Sequence, residues 1–190
     1  MRKVLEDVLK TIATLFNEAE LNWAVGASLV LYHNGIVDKV NDIDIVIEGK
    51  DVKKAEELLL TLGTKQFTKE IPTYSNEYFG EFDINGVEID MMSEMVINNH
   101  NCSYPYPFDQ KSVVSHMALS GVNIPVSSLE EWFILYQMIP NKEVKVDLLN
   151  TYFKNHDILY PELLKRGLDA DLPEHIKESI NRLLDKTKEK

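Results

Sequence analysis

Cysteine is nearly absent: the 190-residue chain has one, Cys102, which excludes an internal disulfide and a Cys-based zinc cage and suits a reducing compartment. Long apolar runs are missing too. None approaches the roughly 18–20 residues of a membrane span, and the apolar positions after Arg2 and Lys3 are interrupted by Glu6, Asp7 and Lys10. The expectation is a cytoplasmic protein with no membrane partner. Basic residues are scarce, 20 Lys and Arg against 31 Asp and Glu, for a net charge of −11. That balance works against a sequence-independent grip on nucleic acid, which needs Lys and Arg to displace counterions from phosphates. No Pro/Gly/Ser-rich linker and no internal repeat divides the chain. What remains is 44% hydrophobic with strong periodicity, enough for one substantial core or one domain with a small appended bundle.

Val4, Leu5, Val8, Leu9, Ile12, Leu15, Phe16 and Ala19 follow the i, i+3, i+4 spacing of an amphipathic helix. Trp23-Ala24-Val25, Gly26-Ala27-Ser28 and Leu29 to Tyr32 read as strand, tight turn and short helix, stopped near Gly35. Asp42 to Ile47 is β-branched and largely alternating, a strand, and Asp51 to Leu62 is helical up to Gly63. Asn85-Gly86 between two alternating runs predicts a type I′ hairpin. With that two-residue loop, Ile84 faces Val87, Asp83 faces Glu88, Phe82 faces Ile89 and Glu81 faces Asp90. Phe82, Ile84, Val87 and Ile89 then face the core, and Glu81, Asp83 and Glu88 read as a solvated face. Asn98 to Gln110, polar and containing Pro105 and Pro107, reads as a long loop or flap. Val113 to Val126 predicts a hairpin around Ser120-Gly121, with Pro125 demoting its second strand to an edge. Ser128 and Glu131 have capping-box spacing before Trp132, Phe133, Leu135, Tyr136 and Ile139, and Pro140 ends that helix. Further helices are expected over Lys142–Phe153, Tyr160–Gly167 and Pro173–Lys186. The expected organisation is an α+β core over residues 1–126 and a helical subdomain over 127–190 packed on it.

Asp42 and Asp44 are two apart in a strand, so both carboxylates leave the same face while Ile43, Ile45 and Ile47 point inward. Such a pair can share a hard cation. Mg²⁺ takes oxygen ligands, commonly one or two carboxylates with substrate phosphates and water. Asp90, between the apolar Ile89 and Met91, can supply a third ligand from another strand. At the Gly26-Ala27-Ser28 turn, glycine allows close backbone approach and the Ser28 hydroxyl can hold a phosphate. His33, His100, His116, His156 and His175 show no metal-binding i, i+4 spacing and read as ordinary. Trp132, Phe133 and Tyr136 read as core. Tyr104, Tyr106 and Phe108 could stack on a base, although loop packing is the plainer use. On residues alone, an α/β protein with an incidental acidic face stays open.

Gly26-Ala27-Ser28, Asp42-Ile43-Asp44 and Glu88-Ile89-Asp90, in that order and each on its expected element, resemble the nucleotidyltransferase superfamily with the DNA polymerase β-like fold. The resemblance is closest over Trp23 to Met92. From Ser120 to Phe153 the order strand, capped helix, helix is similar to the lincosamide-nucleotidyltransferase-like and abortive-infection-toxin-like branches. The Lys-Asp-x-x-Asp signature of many relatives is replaced there by Lys142, Lys145 and Asp147 at altered spacing. The resemblance implies a nucleotidyltransferase-like mixed sheet with flanking helices. It also implies metal-dependent transfer of a nucleoside monophosphate from an NTP to an acceptor hydroxyl, with release of pyrophosphate. Asp42, Asp44 and Asp90 would hold Mg²⁺ or Mn²⁺, Asp90 also activating the hydroxyl. Gly26 and Ser28 would position the phosphates, and Lys142 or Lys145 would neutralise the leaving pyrophosphate. A catalytically degenerate nucleotide-binding or partner-binding protein of the same fold is the alternative. Within the superfamily the acceptor can be a small molecule, a protein or tRNA; the charge and the Asn98–Gln110 composition favour a small molecule.

Overall fold

The computed structural model describes residues 1–68, 72–99 and 101–186. In chain order the elements begin with α1 (Lys3–Glu18), β1 (Trp23–Val25), α2 (Ala27–His33), β2 (Ile43–Ile47), α3 (Val52–Leu62) and β3 (Thr64–Lys65). Six strands follow: β4 (Tyr78–Ile84), β5 (Val87–Ser93), β6 (Val96–Asn99), β7 (Cys102–Pro105), β8 (Val113–Leu119) and β9 (Val122–Ser127). The chain closes with α4 (Leu129–Met138), α5 (Glu143–Asn155), α6 (Pro161–Leu168) and α7 (Glu174–Lys186). These elements form two compact units. One is Met1–Glu70, Asn76–Met95 and Pro107–Ser127; the other is Ile71–Ser75, Val96–Tyr106 and Ser128–Lys190.

The first unit is built on a seven-stranded mixed sheet in the order β3-β4-β5-β2-β1-β9-β8. β1 is short and apolar because it is covered on both faces, with Trp23, Ala24 and Val25 buried, while β2 buries Ile43, Ile45, Val46 and Ile47 and leaves Asp44 partly exposed. α1 buries Leu5, Val8, Leu9, Ile12, Ala13 and Phe16, the stripe that its 3.6-residue period dictates, and packs on β9 and β5. The β4–β5 hairpin has the register expected from its Asn-Gly turn, from Ile84↔Val87 to Glu81↔Asp90. Asn85 and Gly86 both have positive φ, 55° and 74°, as a type I′ turn demands. Asp83 also accepts the Gly86 amide at 3.1 Å, which fixes the turn where the register is set.

Two expectations fail. Asn98 to Gln110 is not a loop throughout, since β6 and β7 pair antiparallel from Val96↔Pro105 to Asn99↔Cys102. Ile97 and Tyr104 face each other in this ladder and are both buried. They are its one buried pair, so the alternation is too short to stand out among polar neighbours. His100 lies outside the described residues. The Ser120-Gly121 hairpin forms, but β9 is not an edge: it lies between β8 and β1. The β1–β9 pairing is confined to Val25↔Val126, so Pro125, which has no amide to donate, disrupts no extended ladder there.

In the second unit α4 is buried on nearly every side and contacts α5, α6 and α7. Ser128 caps it, its Oγ accepting the Glu131 amide at 3.1 Å. The Glu131 carboxylate is fully buried, and it accepts from the Ser128 and Tyr106 hydroxyls and from Arg166 Nη1 at 3.0 Å. Glu130, equally enclosed, accepts the Leu159 and Tyr160 amides, both at 3.1 Å. Two acids at the start of a buried helix complement its dipole and tie it to neighbouring segments.

Candidate active site

The site is assembled by the middle of the sheet. β2 and β5 run parallel, and Asp44 is the register partner of Asp90. β5 and β4 run antiparallel, and Asp90 is in turn the partner of Glu81. Partners across neighbouring strands share a face, so Asp44, Asp90 and Glu81 form a row of carboxylates at strand spacing, about 4.8 Å from one to the next. Asp42 immediately precedes β2, two positions before Asp44, and its charge acts on Asp90. Burial, then the charges of Glu88, Glu81 and Asp42, push the Asp90 carboxyl up to about 7. One of its oxygens, Oδ1, is buried with no hydrogen-bond partner.

The Gly26-Ala27-Ser28 turn is fastened to the same strand at two points. The Gly26 amide donates to the Asp44 carbonyl at 2.9 Å, and the Ser28 hydroxyl donates to Asp42 Oδ1 at 3.3 Å. Between them Ala27 has φ 43°, in the left-handed region that costs an L-residue about 1–2 kcal/mol. Gly26 itself is extended, with φ −120°. It is buried, so its value lies in close approach to the strand.

The first unit thus brings together Gly26, Ser28, Asp42, Asp44 and Asp90. Lys142 and Lys145 belong to the second unit, as the N-cap and in the first turn of α5. Tyr104 and Tyr106 are buried, at 1% and 3% exposure, and so are no wall for a ligand; Phe108 is half-buried. Glu81 was legible by counting from the Asn-Gly turn, but its influence on Asp90 was not. Ala27 carries no sequence signal for its conformation, and the Ser28–Asp42 contact joins residues 14 apart in the chain.

The donor set is hard oxygen throughout, with an unpaired buried acceptor on Asp90. Among the described residues, no three or more Asp, Glu, His or Cys side chains are grouped so as to hold a metal ion by themselves. The arrangement therefore fits a cation that takes few protein carboxylates and completes its shell with phosphate and water, which is the habit of Mg²⁺.

The sheet order, the turn and the row of acids define a protein with the nucleotidyltransferase fold, and solved structures of such proteins superpose on it. A Thermotoga maritima protein inferred to be a nucleotidyltransferase matches with TM-score 0.62 and 22% identity, over 82% of this chain and 96% of that one. ANT(2'')-Ia in complex with adenylyl-2''-tobramycin matches with TM-score 0.56 and 14% identity, over 97% and 99%. An antigenic nucleotidyltransferase-like protein from Paracoccidioides brasiliensis gives 0.53 and 10%, over 95% and 92%. No protein-family model and no curated protein matches the sequence.

Proposed function

We propose that this chain is a metal-dependent nucleotidyltransferase that moves a nucleoside monophosphate from an NTP to a hydroxyl of a small molecule and releases pyrophosphate. The observation that carries the reading is the register Asp44↔Asp90, with Asp42 at the head of the same strand and the Gly26-Ala27-Ser28 turn fastened to it. Asp42, Asp44 and Asp90 would hold Mg²⁺ or Mn²⁺, which when bound would neutralise triphosphate charge and polarise the α-phosphoryl group. Gly26 and Ser28 position the β- and γ-phosphates. Asp90, pushed up to about 7, accepts the proton of the acceptor hydroxyl. The hydroxyl oxygen then bonds to the α-phosphorus as the bond from that phosphorus to the β-phosphate oxygen breaks.

The net charge of −11 supports a small-molecule acceptor over RNA. ANT(2'')-Ia, of the same fold, was captured with adenylylated tobramycin, a nucleotide joined to a small molecule. The test is incubation with each labelled nucleoside triphosphate and Mg²⁺ or Mn²⁺, with small-molecule, protein and tRNA acceptors. Labelled acceptor and released pyrophosphate in equal amounts are expected. Metal-dependent nucleotide binding with no turnover on any acceptor would instead favour a degenerate relative.

A further inference from the structure

We propose that Ser28 is a positioning residue for Asp42: its hydroxyl holds that carboxylate in the orientation in which it takes the metal, and the left-handed backbone of Ala27 aims the hydroxyl there. The proposal deepens the reading above and rests on Asp42 being a metal ligand. Three observations carry it. The hydroxyl donates to Asp42 Oδ1 at 3.3 Å. The turn is anchored two residues upstream, by the Gly26 amide on the Asp44 carbonyl at 2.9 Å, so both ends of the turn are referred to β2 and to the aspartate just before it. Ala27, the residue between the anchors, has φ 43°, a conformation that alanine adopts only where its surroundings impose it.

A side chain that has lost its rotamer freedom before a ligand arrives binds with less ordering cost. Asp42 gains this from Ser28, because Oδ1 is engaged while Oδ2 stays available to a cation. The function is distinct from a contact between Ser28 and phosphate: the one acts through Asp42 and shows in metal affinity, the other acts directly on the nucleotide and persists without metal.

The two are separable with Mn²⁺ and α,β-methylene-ATP, a non-reacting triphosphate, using electron paramagnetic resonance for bound Mn²⁺ and calorimetry for the nucleotide. Ser28→Ala is expected to weaken Mn²⁺ binding by roughly 10–100-fold, the usual consequence of losing a group that orients a ligand. Ser28→Thr, which keeps a hydroxyl, restores most of it. Ala27→Gly, which removes the strain and frees the turn, melts no lower than the parent chain yet binds Mn²⁺ several-fold more weakly. In an Asp42→Asn background Ser28→Ala has no further effect on Mn²⁺ binding, because the residue through which it acts on the metal is gone. Effects of Ser28→Ala and Asp42→Asn that add in full, or a loss confined to nucleotide binding in EDTA, overturn the proposal and leave nucleotidyl transfer standing. Absence of Mn²⁺-dependent analogue binding in the unmutated chain overturns both.

Discussion

At the scale of single residues, the acids of the sheet have a stability signature of their own. Asp90 has a folded-state pKa near 7, above the usual carboxylate value near 4, so the folded protein holds a proton that the unfolded chain gives up. Its contribution is neutral below about pH 4, and it destabilises progressively as pH rises towards 7. Asp90→Asn in EDTA should therefore leave stability unchanged at pH 4 and raise it by about 1–3 kcal/mol at pH 8, after allowance for the partial exposure of the group. Urea melts at the two pH values measure this, and an equal effect at both would show that Asp90 is not a strained acid. Asp42→Asn and Asp44→Asn should each remove at least about a hundredfold of metal-dependent turnover. Thermal melting of both should be unchanged or slightly higher, since a charge leaves an acidic cluster. Unfolding with full activity per folded molecule would make the two aspartates structural. The types and order of these residues were readable in the chain, because an Asp-x-Asp pair in a strand fixes its own geometry. Burial of Asp90 and the left-handed Ala27 were not, since both depend on what the fold lays beside them.

At the scale of elements, legibility followed the length of the repeating pattern. The β4–β5 register could be counted residue by residue from Asn85-Gly86, because the side-chain period is two and the turn sets the phase. β6 and β7 could not, their apolar signal being the single Ile97↔Tyr104 pair. The position of β9 inside the sheet depends on a parallel pairing across most of the chain, Val25↔Val126, for which no local signal exists. Gly63 is a further case of a tertiary demand on one residue. It ends α3, and a Cβ added there would lie 2.1 Å from the Asp83 carbonyl oxygen and 2.8 Å from Ile84 Cγ1. Gly63→Ala should cost about 1–3 kcal/mol because backbone must move, whereas alanine at an open helix end would cost little. A melting temperature equal to the parent's would show that α3 and β4 are not held at that spacing. In the second unit Arg166→Met strands the fully buried Glu131 carboxylate on α4. A loss of about 3–5 kcal/mol is expected, while a double replacement of Arg166 and Glu131 by apolar residues of similar volume recovers most of it.

At the scale of the whole molecule the governing quantity is charge. A net charge of −11 repels a polyanion at long range, and no Lys/Arg-rich stretch of the sequence offers a track for a phosphate backbone. The composition of Asn98–Gln110, which favours a small molecule in the sequence, does not carry this argument, because Tyr104 and Tyr106 are enclosed. The charged face of the hairpin does. Asp83 and Glu88 are exposed register partners one row from Glu81 and Asp90, so the acidic row at the site continues into an open acidic surface. A compact cationic acceptor approaching that surface gains attraction that salt screens over about 10 Å at 0.1 M, and a neutral acceptor gains none. With the chain active on hydroxyl acceptors, raising salt from 50 to 300 mM should increase KM several-fold for a cationic acceptor and leave it nearly constant for a neutral one. Asp83→Asn should weaken the first dependence while sparing kcat, because Asp83 would attract the acceptor and its charge is not among those that act on Asp90. Steady-state kinetics on a matched pair of acceptors decides it. Efficient nucleotide addition to tRNA that weakens steeply with salt would reverse the preference, since it would require a concentration of positive charge that the sequence does not provide.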